Sequence, residues 1–187
     1  MKKIDDTDIL RRFKNGDTSA FKEIVLAYQD SIYSLCTYMI GDPANAQDLA
    51  QDVFLKAYQN LKTFKPNASI YTWLYRITVN TCIDYKRKIS FESLFRHQQH
   101  EEDIIENEPS GDPSPESLYG SRQDAATLKK ALGKLSQKLK AVIVMKEVEG
   151  LSYEEIADAL ELSIGTVKSR ISRARGELKS LMKGFDQ

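Results

Sequence analysis

Aromatic and cationic side chains share one stretch of this chain, and together they suit the holding of a phosphate backbone while stacking on unpaired bases. Residues 64–88 read FKPNASIYTWLYRITVNTCIDYKRK. Ser69 can cap a helix beginning at Ile70, and no helix breaker follows until the pattern changes near Ser90. At about 100° per residue, Tyr71, Leu74, Ile77, Cys82 and Tyr85 form a broad apolar face. Thr72, Arg76, Asn80 and Arg87 fall on a narrow polar stripe opposite, flanked by Trp73. Residues 61–90 hold six Lys/Arg against one acid, Asp84. A plain core helix explains the aromatics as well, because Tyr, Trp and Phe at helical spacing generally pack inward.

A second group of residues points to duplex DNA. LSYEEIADALELSIGTVKSRISRAR, residues 151–175, has the form of a helix-turn-helix. Ser152 with Glu155 makes a capping box for the first helix, and Ser163 can cap the second. On the second helix Val167, Ile171, Ala174 and Leu178 cluster on one arc and must face a core. Ser169, Ser172 and Arg173 lie opposite, with Thr166 near the N-terminal end, Lys168 and Arg175 flanking one side and Arg170 the other. The central three suit base edges and the flanking cations suit phosphates.

Other chemistry is poorly supplied. His97 and His100, the only histidines, form H-x-x-H in a polar segment with no third ligand at fixed geometry, so no metal site is expected. Cys36 and Cys82 sit inside apolar helical patterns, which suits reduced, buried thiols. No nucleophile–base arrangement or phosphate-binding glycine loop stands out, so neither an enzyme nor a cofactor is expected. Asp48 and Asp52, one turn apart with Gln51 between, repel each other slightly and read either as a solvated face or as a docking surface for a basic partner.

The elements that must position these groups are helices throughout. An amphipathic start over 8–14 ends at Asn15-Gly16, and Asp17 is placed to cap a long helix in which Phe21, Ile24, Val25, Tyr28, Ile32, Leu35 and Met39 recur at three and four. Gly41 ends it. Asp42-Pro43 opens a third helix that turns Leu49, Val53, Ala57 and Leu61 inward. After residues 91–124, polar and rich in proline and acids, helices return at 125–135, at 138–147 and in the helix-turn-helix.

The net charge of zero hides an uneven spread: +3 over residues 1–90, −7 over 91–124 and +4 over 125–187. Two basic helical domains, 1–90 and 125–187, joined by a flexible acidic linker are therefore the expected all-α organisation. No apolar run long enough to span a membrane and no signal peptide is visible, which places the chain in the cytoplasm.

Taken in order, GDxxAF at 16–21, AQDLAQDVFLKAY at 46–58, YTWLYRITVNT at 71–81, GLSYEEIADAL at 150–160 and GTVKSRISRAR at 165–175 resemble an extracytoplasmic-function (ECF) sigma factor of the sigma-70 family, over nearly the whole chain. The resemblance implies a promoter-specificity subunit of bacterial RNA polymerase. Residues 1–90 would be region 2, binding core polymerase through Asp48, Gln51, Asp52 and Phe54. The same part would take a base flipped from the melted minus-ten element with Phe64, Lys65, Asn67, Ala68 and Ser69, beside Thr72, Trp73, Arg76, Asn80 and Arg87. Flipping costs a few kcal/mol of unstacking, which a shaped polar pocket must return. Residues 125–187 would be region 4, reading the duplex minus-thirty-five element through Thr166, Lys168, Ser169, Arg170, Ser172, Arg173 and Arg175. An anti-sigma factor, typically membrane-anchored, is a further implied partner. A stand-alone helix-turn-helix regulator is the alternative; it leaves the aromatic, basic helix unexplained.

Overall fold

Helix starts are set by side chains that occupy otherwise unpaired backbone N–H groups, a contribution of about 1 kcal/mol per cap. A computed structural model describes residues 5–64, 69–97 and 119–184, and among them every regular element is helical. They are α1 (Asp6–Lys14), α2 (Ala20–Ile40), α3 (Pro43–Asn60), a 3-10 turn (Leu61–Thr63), α4 (Ile70–His97), α5 (Tyr119–Lys134), α6 (Gln137–Glu147), α7 (Tyr153–Leu160) and α8 (Ile164–Lys183). Asp5 caps α1, Asp42 caps α3, Ser136 caps α6 and Ser163 caps α8. The capping box of α7 is present in both directions, with Ser152 Oγ accepting from Glu155 N and Glu155 Oε2 from Ser152 N.

Several expected boundaries move. Asp17 does not cap α2 itself; its carboxylate accepts from Ser19 N, organising a 3-10 turn whose last residue leads into the helix at Ala20. The carboxyl sits below its ordinary pKa because Ser19 donates to it and Arg12 lies beside it. Helix α4 runs past Ser90 to His97, and α5 begins at Tyr119, so helix enters the expected linker from both ends. His100 lies outside the described residues. Gly41, at φ +85°, closes α2 in the left-handed conformation glycine adopts without steric cost.

The N-terminal half packs α2, α3 and α4 together, with α1 across one end. Tyr58 meets Phe13 and Phe21 edge to face, tying α1, α2 and α3. Asp6 Oδ2 accepts from Ile70 N at 2.8 Å, so α1 also fixes the start of α4. Cys36 and Cys82 are buried free thiols with sulfurs 3.9 Å apart, and their mutual hydrogen bond and burial push Cys36 up. In the C-terminal half α8 packs on α5, α6 and α7. The halves touch: α6 lies on α2 and α7 on α4, and the buried apolar residues of both form one contiguous cluster.

The inward face of α4 differs from expectation. Tyr71, Leu74 and Cys82 are buried, but Ile77 and Tyr85 are only half-buried. Tyr75, Thr78 and Val79 are buried in addition, because α4 is covered by α2 and α3 on one side and by α7 on another.

Candidate nucleic-acid interface

Four of the polar-stripe and loop candidates gather at one place. Phe64, Trp73, Arg76 and Asn80 line a cavity of about 810 Å³ between α4 and α7. Phe64 is nearly buried and its ring lies 4.9 Å from that of Trp73 at 50°, so the half-exposed indole is braced from behind. Asn80 is exposed. Lys56 reaches across from α3 and donates to Thr81 Oγ1 at 2.9 Å on the cavity wall. An aromatic face and an amide in one recess can stack on a base and pair with its edge, while its cations, Lys56 and Arg76, are bonded within the protein and share the lining with Asp84, Asp158 and Glu161.

Thr72 corrects the stripe. It is 4 % exposed, with its hydroxyl bonded to the Ser69 carbonyl and its N–H to Ser69 Oγ, so it closes the first turn of α4 and offers nothing outward. Its burial follows from lying between Tyr71 and the Ser69 cap in a turn packed on more than one side. Ser69 performs the capping expected of it. Arg87 is exposed beyond the cavity, with Asp84 at 3.6 Å. Lys65, Asn67 and Ala68 lie outside the described residues.

Arg76 is committed elsewhere than to solvent. Its guanidinium donates to the carbonyls of Asp158 and Ala159 and to Glu161 Oε1, at 2.6, 3.1 and 2.5 Å. Tyr75, absent from the candidates, is fully buried and donates to Glu149 Oε2 at 2.7 Å. Burial raises its pKa, so it remains a donor at neutral pH. Nothing in the local pattern distinguished it from a core tyrosine, since its partner lies 74 residues away.

On α8 the wheel is reproduced except at Leu178, which is half-buried. Val167, Ile171 and Ala174 are buried, while Lys168, Ser169, Ser172 and Arg173 are exposed along one side. Thr166 is half-buried and shares a hydrogen bond with Ser163 across the first turn, and Arg170 is half-buried on the flank. Arg175 is exposed but donates twice to Glu147 Oε1 of α6, which raises its pKa. Lys168 also stands 5.8 Å from the Tyr153 ring, with Lys146 at 4.9 Å from the same ring. The turn before α8 is closed by Glu161 in the left-handed region at φ 53°, a conformation uncommon for a residue other than glycine.

On α3, Asp48, Gln51 and Asp52 are exposed and Phe54 is half-buried against the core. Leu55, 55 % exposed and two turns on from Asp48, lies on the same face.

Helices that present a helix-turn-helix in one half and an aromatic recess in the other suit a protein that contacts nucleic acid. Residues 24–91 match the family description Sigma-70 region 2, and residues 125–178 match Sigma-70, region 4. The chain is 35% identical over 185 residues to the ECF RNA polymerase sigma factor SigW of Bacillus subtilis, covering 93% of this chain and 95% of that one. It is 35% identical to the ECF RNA polymerase sigma-E factor of Escherichia coli K12, over 91% and 90% of the two chains. Among solved structures it is similar to the sigma factor RpoE of Bartonella quintana in complex with the anti-sigma factor NepR, with TM-score 0.66, 28% identity and coverage of 87% and 96%. CnrH in complex with the cytosolic domain of CnrY shares the fold at TM-score 0.70 and 24% identity, over 96% and 97%. The chain belongs to the ECF sigma factors of the sigma-70 family.

Proposed function

We propose a division of labour along the chain. The protein is a promoter-specificity subunit of bacterial RNA polymerase. Residues 1–90 dock on core polymerase through the α3 face of Asp48, Gln51 and Asp52, with Phe54 and Leu55 as apolar contacts. The Phe64–Trp73–Arg76–Asn80 recess takes a base flipped from the melted minus-ten strand. Residues 125–187 read the upstream duplex with Lys168, Ser169, Ser172 and Arg173. The acidic stretch 91–124 links them. The chain performs no covalent chemistry; it lowers the cost of melting by binding what melting exposes. It works in the cytoplasm, where its polymerase is, and no helix among the described residues is long and apolar enough to cross a membrane.

The observation that carries this reading is the recess: four candidates separated by up to 16 positions in sequence line one cavity, and a duplex reader alone has no use for it. An anti-sigma factor is the further partner, supported by the similarity to RpoE of Bartonella quintana in its complex with NepR. Permanganate footprinting of promoter complexes, with a nuclease footprint of the upstream duplex beside it, tests the recess. With Trp73→Ala, upstream protection should persist while reactivity of melted thymines falls at least several-fold. Undiminished melting would assign the recess to packing.

A further inference from the structure

Three lysines from three helices converge on a second cavity, of about 560 Å³, and no carboxylate among the described residues lines it. Lys86 of α4 is half-buried, Lys129 of α5 is exposed and Lys140 of α6 is buried, so positive charge runs from the mouth of the cavity into the protein. Like charges gathered without a counter-charge repel one another, and the arrangement is costly until an anion enters. Lys140 shows the cost most plainly. It is 3 % exposed, and the hydrogen bond it makes is a long one, 3.4 Å to the Met39 carbonyl. Burial, with Lys86 nearby, lowers its pKa to about 8, and no acid acts against them. Gln137, at the start of α6, lines the same space. Its Oε1 is buried without a hydrogen-bond partner, so the carboxamide is uncommitted and can turn its amide N–H groups to a ligand. Much of the remaining lining is apolar, with Tyr38 from the last turn of α2 and Leu128 and Leu132 from α5.

We infer that this cavity is a binding site for a small phosphorylated ring compound, a nucleoside diphosphate in size and charge. The lysines meet the phosphates, the Gln137 amide donates to a phosphate oxygen, and Tyr38 with the two leucines covers the ring. Size argues against a bare inorganic anion, because the cavity lies within the range of about 300–1,000 Å³ usual for organic ligands and a lone phosphate would leave most of it unfilled. Burial argues against duplex DNA. A phosphate on the outside of a double helix cannot approach an ammonium that is 3 % exposed, whereas a small ligand entering past Lys129 can. Such a ligand brings Lys140 the counter-charge it lacks, so ligand and folded chain stabilise one another.

Isothermal titration calorimetry of the full chain at physiological ionic strength tests this, with guanosine diphosphate, adenosine diphosphate and pyrophosphate as probes. At least one of the two nucleotides should bind one per chain, several-fold more tightly than pyrophosphate, and should raise the thermal midpoint. Lys86→Gln combined with Lys129→Gln changes only side chains outside the core and should weaken the nucleotide at least ten-fold. Tyr38→Ala should weaken the nucleotide several-fold and leave pyrophosphate unchanged. Circular dichroism melts of the variants close to that of the wild type establish that they fold, and the two variants probe the phosphate and ring ends separately. Absence of saturable nucleotide binding overturns the proposal. So does equal affinity in the wild type and the lysine double variant, which puts the anion on the exposed cations of α8 instead. Pyrophosphate as tight as both nucleotides, with Tyr38→Ala indifferent to all three, shows an adventitious ion only and overturns it as well.

Discussion

Arg173 and Arg175 lie two positions apart on α8 and have different work. The Arg175 guanidinium is held by Glu147 and ties α8 to α6, whereas Arg173 stands exposed on the outward side with Ser169 and Ser172. Arg173→Ala should therefore cost about 1–3 kcal/mol at one upstream base pair and relax specificity there, measured by competition among singly substituted promoters. An equal loss on all sequences would show a phosphate contact only. Arg175→Ala should leave the ranking of those promoters unchanged. Sequence spacing put both arginines on the flank or face of one helix correctly but could not see Glu147, whose place beside Arg175 is a tertiary fact.

Among the helices, what is local was readable. The capping box at Ser152 and Glu155, the caps at Ser69 and Ser163, and the buried faces of α3 and α8 all follow from residues within two turns of each other. What depends on neighbours was not. Thr72 looked outward on an isolated wheel and is buried because α4 is packed on more than one side; Tyr75 meets the loop after α6 and Arg76 meets α7, both from the other end of the chain. The recess was half legible for the same reason: Trp73, Asn80 and the Phe64 loop could be named, its second wall could not. Helix α3 offers the cleanest test of an element. Its outward acids support no internal contact of the core, so changing Asp48 and Asp52 together to Lys should leave the circular dichroism melt nearly unchanged while abolishing co-elution with core polymerase. Retained co-elution would remove α3 as the docking face.

The molecule as a whole carries a buried cation at the junction of its halves. Lys140 is 3 % exposed, and burial, with Lys86 as a lesser cause, lowers its pKa to about 8 from 10.5. Below that value both the folded and the unfolded chain hold the proton, and burying the charge is costly. Between about 8 and 10.5 the folded chain has lost the proton while the unfolded chain keeps it, so folding gains stability as pH rises through that window. Lys140→Met removes this titration. The thermal midpoint of the wild type should consequently gain on that of the variant as pH rises from neutrality through that window, whatever their difference at neutral pH. A pH-independent difference would mean that Lys140 stays hydrated. The same junction joins the buried apolar residues of both halves into one cluster, with α6 on α2 and α7 on α4.

Run-off transcription is the decisive measurement of promoter-specific initiation. Purified core polymerase is given linear templates recovered by their binding to the reconstituted holoenzyme, with and without this chain. Transcripts from a defined start site are expected only when the chain is present, and they should be lost with either Trp73→Ala or the α3 double substitution. Transcripts of the same start and yield without the chain, or a chain that shifts the templates alone and leaves initiation by core unchanged, would contradict its role as the specificity subunit.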